Sequence, residues 1–351
     1  MGTQPLVSVV TPFFNSALYL SECIESVLMQ SYSNFEYILM DNCSNDGSYE
    51  LAESYAERDH RIRLLKCSEF VPQLENYNRA LREISDASEY CKIVQADDYI
   101  FYNCLELMLR SFEQSTSIGL VSSYRSLGDE VGGSGYPRRK PMLSGKECGR
   151  FFLRTGNNIF GSQTTVMYRS SVVRSNDKFY NEMLPHSDLD KAIEILEHWD
   201  FGFVHQILSF SRVENESISS SLQSFEPYSL DRYIIAKHYA PRFMDAPEAE
   251  RVTRSQKLAY YRVLAREALR FRDRAFWRYH KDGLKTVGQS LDLRYLTLQI
   301  ALKLLWEASN PGRTITRTLS GLKQGQDGNA GVPGLSDERE VAENASVEAR
   351  K

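Results

Sequence analysis

A mostly parallel α/β sheet flanked by helices, followed by a helical extension, is the architecture this 351-residue sequence predicts. Two observations predict the sheet. β-rich runs alternate with amphipathic segments over the first hundred residues, and polar clusters follow the runs, where open parallel sheets bind their ligands. A third predicts the extension: from Leu230 to about Leu305 the texture turns helical and basic, with no β-rich run interrupting it.

"LVSVVTPFF" reads as the first strand, and "NSALYLSECIESVLMQS" sets Leu20, Cys23, Ile24, Val27 and Leu28 at helical spacing behind Asn15 as cap. "FEYILM" is a strand ending at Asp41, and "DGSYELAESYAERD" a helix opened by a polar turn. "RIRLLKC" and "PQLENYNRALREISD" repeat the unit, and "EYCKIVQA" is a fourth strand delivering Asp97 and Asp98. A helix "NCLELMLRSFEQ" and a strand "IGLVSSY" come next, then the glycine-rich "GDEVGGSGYPRRKP" as a surface loop. Further on, Leu189, Ile193 and Leu196 form the apolar stripe of a helix from Ser187 to Glu197, ahead of a strand-like "FGFVHQILSFSR". The expected division is a ligand-binding domain over 1–225, a basic helical region over 226–320, and a tail over 321–351 with the composition of disorder.

With 42% hydrophobic residues, 25% charged residues and a net charge of -4, the composition is that of a soluble protein and gives no general case for nucleic-acid binding. Six scattered cysteines without a C-x-x-C pair fit a reducing cytosol. The start lacks a basic segment followed by a long apolar run, and no window is apolar enough for a membrane span. The expected location is therefore cytoplasmic, with peripheral membrane contact open to the basic helices through their Arg, Lys, Tyr, Trp and Leu residues.

In "IVQADDY" an apolar run ends in two adjacent carboxylates. A turn or helix cap explains one such pair. Converging with Asp41 and Asp46 on the same rim, it suits Mg²⁺ or Mn²⁺ better, because hard cations take carboxylate oxygens and complete their shell with phosphates and water. There is no G-x-x-x-x-G-K-[ST] and no G-x-G-x-x-G after the first strand, and neither "GGSGYPRRK" nor "LSGKE" fits those patterns. That argues against P-loop ATPases and nicotinamide dehydrogenases, and leaves phosphate to be held by metal.

"VSVVTPFFNSALYLSECIESVLMQSYSNFEYILMDNCSNDGS" followed by "QADD" resembles the signature of the family 2 glycosyltransferases, inverting enzymes of the GT-A fold with a Rossmann-like sheet, over roughly Leu6 to Ser221. The resemblance implies a nucleotide-sugar donor, usually a UDP-sugar, a divalent Mn²⁺ or Mg²⁺, and transfer with inversion to the hydroxyl of a saccharide or lipid-linked saccharide in bacterial polysaccharide or glycoconjugate synthesis. Carried over by residue, it implies that Thr11, Pro12, Phe13 and Asn15 pack around the nucleoside. Asp41 bonds the base, with Asn42, Ser44 and Asp46 in its loop, and Asn78 lies near the donor. Asp97 sits near ribose and sugar and, with Asp98, at the metal.

"LPHSDLDKAIEIL" resembles the family's acidic motif before a helix, which implies Asp188 as the base that takes the acceptor's proton, with Asp190 as the alternative; His186, His198 and His205 read as structural or exposed, with lining of the acceptor site open to His186. The chain departs from the family pattern at Ser187, at Lys191-Ala192, and at Arg212 to Glu214, where glutamate replaces a residue suited to phosphate. A non-catalytic nucleotide-sugar sensor or scaffold and a receiver-like phosphoacceptor domain are the rival readings.

Overall fold

The computed structural model describes residues 4–128, 130–133, 135–137, 139–182, 187–212 and 223–309. At the centre of its sheet lies β1 (Leu6–Phe13), a valine-rich run buried from Val7 onward. It is paired in parallel with β2 (Phe35–Asp41) on one side and β4 (Ser88–Ile93) on the other, and β3 (Ile62–Lys66) extends the parallel set beyond β2. The crossovers are α1 (Ala17–Leu28), α2 (Ser48–Ala56) and α3 (Gln73–Arg82). Because the chain winds outward from β1 to β3 and then returns to the far side of β1, strand order reverses between β1 and β4. Such a switch point opens a crevice at the carboxyl ends of the two strands.

Beyond β4 come β5 (Tyr99–Ile100), α4 (Cys104–Phe112), β6 (Ile118–Leu127), β7 (Glu130–Gly132), β8 (Met142–Leu143), α5 (Gly145–Thr155), β9 (Met167–Arg169), α6 (Ser170–Val173), α7 (Ser187–Ile195) and β10 (Asp200–Ser211). The sheet runs β3-β2-β1-β4-β9-β6-β10-β5. β10 is parallel to β6, whereas the three-residue β9 is antiparallel to both its neighbours. Two apolar clusters form the core. One gathers Leu20 and Ile24 of α1 with Met108 and Phe112 of α4, the other Tyr77 of α3, Phe152 of α5, Leu189 and Ile193 of α7, and Phe201 and Phe203 of β10.

The expected sheet, its flanking helices and the C-terminal helices are present. Several elements differ from expectation. Glu130–Gly132 pairs back on β6 as β7, so part of the expected surface loop is strand. "LSGKE" is the start of α5: the Glu147 amide donates to Ser144 Oγ at 3.3 Å while the Glu147 carboxylate accepts from the Ser144 amide at 3.2 Å, a reciprocal cap. The helix stops at Gly156, whose φ of 70° is left-handed and where an added Cβ would fall 1.7 Å from the Arg232 guanidinium.

The expected boundary at residue 225 falls just before the next helix. α8 (Pro227–Phe243) buries Ile235, Ala236, Tyr239 and Phe243 in the same core as α5 and α7. One compact unit accordingly runs to Val263 and includes Arg272–Leu291, which holds α10 (Arg274–Thr286); the other comprises Leu264–Phe271 and the chain from Asp292, which holds α11 (Leu293–Ser309). α9 (Ala246–Ala268) belongs partly to each. No helix among the described residues is long and apolar enough to cross a membrane. The expected tail lies outside them.

Candidate active site

The switch point brings the sequence-predicted acids to one edge. Phe13, the last residue of β1, is in register with Asp41, and the turn after β4 carries Asp97 and Asp98. Most of the first two loops is spent on its own architecture. Asp41 is fully buried and accepts from the Ser44 amide at 3.0 and 3.3 Å, with the Lys66 ammonium 4.0 Å away. Asn42 clamps the backbone of Val71, donating to its carbonyl at 2.8 Å and accepting from its amide at 3.0 Å.

Asp46, not Asn15, caps α1, accepting from the Ala17 amide at 3.0 Å as well as from the amide and hydroxyl of Ser48 at 3.0 and 2.5 Å. Burial acts to raise the Asp46 pKa, but these donors outweigh it and hold the carboxyl below its usual range. Asn15 adopts a left-handed φ of 46° and staples the two loops, its amide donating to Ser44 Oγ at 3.0 Å and its Oδ1 accepting from the Asn45 amide at 2.9 Å. Thr11, Pro12 and Phe13 are buried. Phe13 points into the core, and the next residue, Phe14, is the exposed aromatic at this edge, its ring centroid 4.8 Å from that of Phe70.

Asp98 is 5% exposed and tightly framed. Its Oδ2 accepts from Thr164 Oγ1 at 2.6 Å and from Ser211 Oγ at 3.1 Å, and its Oδ1 accepts from the Arg212 amide at 3.3 Å. Thr164 is fixed in turn by the Gln95 amide, which donates to its hydroxyl at 3.0 Å, and by the buried Lys92 ammonium, which donates to the Thr164 and Val166 carbonyls. Arg212 closes the turn by donating to the Asp97 carbonyl at 2.9 Å, pairing with Glu22 and covering the Tyr19 ring at 4.4 Å. Burial, then the neighbouring charge of Asp97, pushes the Asp98 carboxyl up to about 6 against the pull of its hydrogen bonds.

This donor set fits a divalent cation shared with a substrate. Oδ1 accepts a single long hydrogen bond and keeps room for one more partner. Among the described residues no group of three or more His, Cys, Asp or Glu is placed to cage an ion. Mg²⁺ and Mn²⁺ commonly take few protein ligands and fill their shell with phosphate oxygens and water.

The helix α7 carries Asp188 and Asp190 in its first turn. Asp190 is buried against α8, where it accepts from the Tyr239 hydroxyl at 3.2 Å. Asp188 is less buried, and it shares the field of the Arg125 guanidinium with Asp98. Asn78 is committed to the segment that leads to α7: its Oδ1 accepts from the Tyr180 amide at 2.7 Å, and its Nδ2 donates to the Tyr180 carbonyl at 2.9 Å and to Glu182 at 3.0 Å. These bonds make Asn78 part of the wall that holds the Tyr180–Glu182 segment. His186 and Glu214 lie outside the described residues.

Lys92, Arg125, Thr164, Ser211 and the Phe14–Phe70 pair were not among the candidate residues. Lys92 carried a signal, being a lysine inside an otherwise apolar buried strand. Thr164 carried none, since it reaches Asp98 only through the fold.

An acidic pair at the switch point of a parallel sheet defines an α/β protein with a candidate ligand-binding rim. The profile of the family described as "Glycosyl transferase family 2" matches residues 8–176. The glycosyltransferase TuaG of Bacillus subtilis strain 168, named for teichuronic acid biosynthesis, is 34% identical over 219 residues, covering 62% of this chain and 83% of that relative. Matches to other curated glycosyltransferases cover as little as 18% of the relative's length, and the match to GlyG of Streptococcus pneumoniae covers 42%. The chain belongs to glycosyl transferase family 2.

Among solved structures, S. aureus TarS (residues 1-349) in complex with UDP-GlcNAc superposes with a TM-score of 0.57 at 15% identity, over 80% of each chain. The mannosyltransferase PcManGT of Pyrobaculum calidifontis, in complex with GDP-Man and Mn²⁺, superposes with a TM-score of 0.52 at 14% identity, over 93% of this chain and 88% of that one. At these identities the likeness concerns the fold, which is the GT-A type.

Proposed function

We propose that this protein transfers a sugar, with inversion, from a UDP-sugar to an acceptor hydroxyl in the assembly of a bacterial surface polysaccharide. What supports the reading is the Asp98 carboxylate at the switch point, framed by Thr164, Ser211 and the Arg212 amide, together with Asp188 in the first turn of α7. An acid on the leaving-group side and an acid on the acceptor side of one crevice suit a single displacement. Asp188 takes the acceptor O–H proton as that oxygen bonds the anomeric carbon, the carbon–oxygen bond to the diphosphate breaks, and the nucleoside diphosphate leaves.

Asp98, with Asp97 beside it, would hold a divalent cation against the donor's diphosphate, where it offsets the charge the leaving group gains. The Thr164, Ser211 and Arg212 donors keep the Asp98 carboxyl in one orientation, so little reorganisation is needed at the reacting geometry. A UDP-sugar in TarS supports the choice of nucleotide, and the name of TuaG supports the setting.

The test is turnover of UDP-sugars, as transfer or slow donor hydrolysis, by Asp188→Asn and Asp190→Asn. Loss of the base should lower kcat by about 10²–10⁴-fold with donor KM little changed. Asp190→Asn should stay within about tenfold, its effect passing through the Tyr239 contact. Full turnover in Asp188→Asn would remove it as the base, and a wild-type protein that binds donor but never turns it over would be a sensor.

A further inference from the structure

Arg125 stands in β6 in register with Ser209 of β10 and Gly132 of β7. Its Nε is buried with no hydrogen-bond partner, and so is the hydroxyl of Ser209. Buried donors left idle are rare, and two on adjacent strands mark a place where a further polar group belongs. Ser211, two residues beyond Ser209 in the strand, donates to Asp98, so the idle pair adjoins the framed carboxyl. The carboxylates whose charge acts on Arg125 are those of Asp98 and Asp188.

The side chain is also held in place. Gly132 presses on it so closely that an added Cβ would fall 2.8 Å from Nε and 2.9 Å from Cγ. A guanidinium stays protonated, which excludes acid or base work, and its planar fork matches a carboxylate through two parallel N–H donors. In the displacement described above, the group lying between the acid of the leaving diphosphate and the acid of the acceptor is the sugar ring.

We infer that Arg125 reads the transferred sugar, and that the sugar it selects carries a carboxylate, as a hexuronic acid does. The inference rests on the donor reading given under the proposed function. The diphosphate, the other anion a donor brings, is the competing source of the same chemistry.

Calorimetric titration of the full chain in Mn²⁺ with UDP, UDP-glucose and UDP-glucuronate separates the two. The wild type should bind UDP-glucuronate at least about tenfold more tightly than UDP-glucose. Arg125→Met should erase that ratio while leaving the affinity for UDP alone unchanged, and Arg125→Lys should keep part of it. Gly132→Ala, which retains the charge but pushes the guanidinium aside, should also shrink the ratio, and it serves if Arg125→Met fails to fold. A wild type without the preference, or an Arg125→Met protein that keeps it, overturns the inference. So does an Arg125→Met protein that loses UDP affinity as much as UDP-glucuronate affinity, since Arg125 would then be a diphosphate ligand. A wild type that binds none of the three probes overturns the donor reading itself.

Discussion

Lys92→Met tests how the Asp98 frame is built. Lys92 is fully buried in β4, and its ammonium donates to the carbonyls of Thr164 and, at 3.2 Å, Val166. Methionine refills the stem but leaves both carbonyls in a sealed space without that donor, at about 1–3 kcal/mol each. Removing the buried charge returns part of that loss. The expected net destabilisation is about 2 kcal/mol. Lys92→Ala also removes three methylenes at about 0.8 kcal/mol each, so it should cost about 4 kcal/mol. Urea unfolding followed by fluorescence and circular dichroism measures both.

Burial lowers the Lys92 pKa, with the neighbouring Cys104, Asp98 and Cys91 charges acting against it, so between that value and the unfolded pKa of about 10.4 the unfolded chain binds more protons. Stability then rises with pH. The margin of wild type over Lys92→Met should widen as pH is raised toward about 10, and taking the difference cancels the buried tyrosines and cysteines that both proteins share. Because Thr164 fixes Asp98, Lys92→Met should also weaken metal-dependent UDP binding by about tenfold. Wild-type stability and wild-type affinity in Lys92→Met would refute the reasoning.

Asn78→Ala removes three hydrogen bonds to Tyr180 and Glu182 and should lower stability by about 3 kcal/mol, with turnover falling as the segment before α7 loosens; unfolding and activity measured on the same preparation check it. Asp46→Ala should cost about 1 kcal/mol at pH 7 through loss of the α1 cap. As the folded pKa of Asp46 is depressed, its contribution is complete above the unfolded value of about 3.9 and is lost as pH falls through the folded value. The gap between wild type and Asp46→Ala should therefore close in strong acid.

The alternation of β-rich and amphipathic runs was enough to read β1 to β4, α1 to α3 and the rim they form, because each of those elements has the period of its own burial. α5 and the short β9 escaped. "LSGKE" was weighed for phosphate and not for a capping box, and three residues of β9 are too few to show a period. In the candidate site, Asp97-Asp98 stood out as a carboxylate pair ending an apolar run, and Asp188 came from the family resemblance. What surrounds them was not legible: Thr164, Ser211 and Arg125 come from three distant segments, and only the packed sheet sets them near Asp98. Thr11 and Phe13 are buried in β1, whereas Phe14 just beyond the strand is exposed.

The central claim is that Asp98 works with a divalent cation to hold a nucleoside diphosphate. Calorimetric titration of UDP into wild type and Asp98→Asn, with and without Mn²⁺, tests it most directly. The expected result is that Mn²⁺ tightens UDP binding by about tenfold or more in the wild type and has no such effect in Asp98→Asn. Equal UDP affinity with and without Mn²⁺, unchanged in Asp98→Asn, would contradict the claim and return Asp97-Asp98 to the role of a turn.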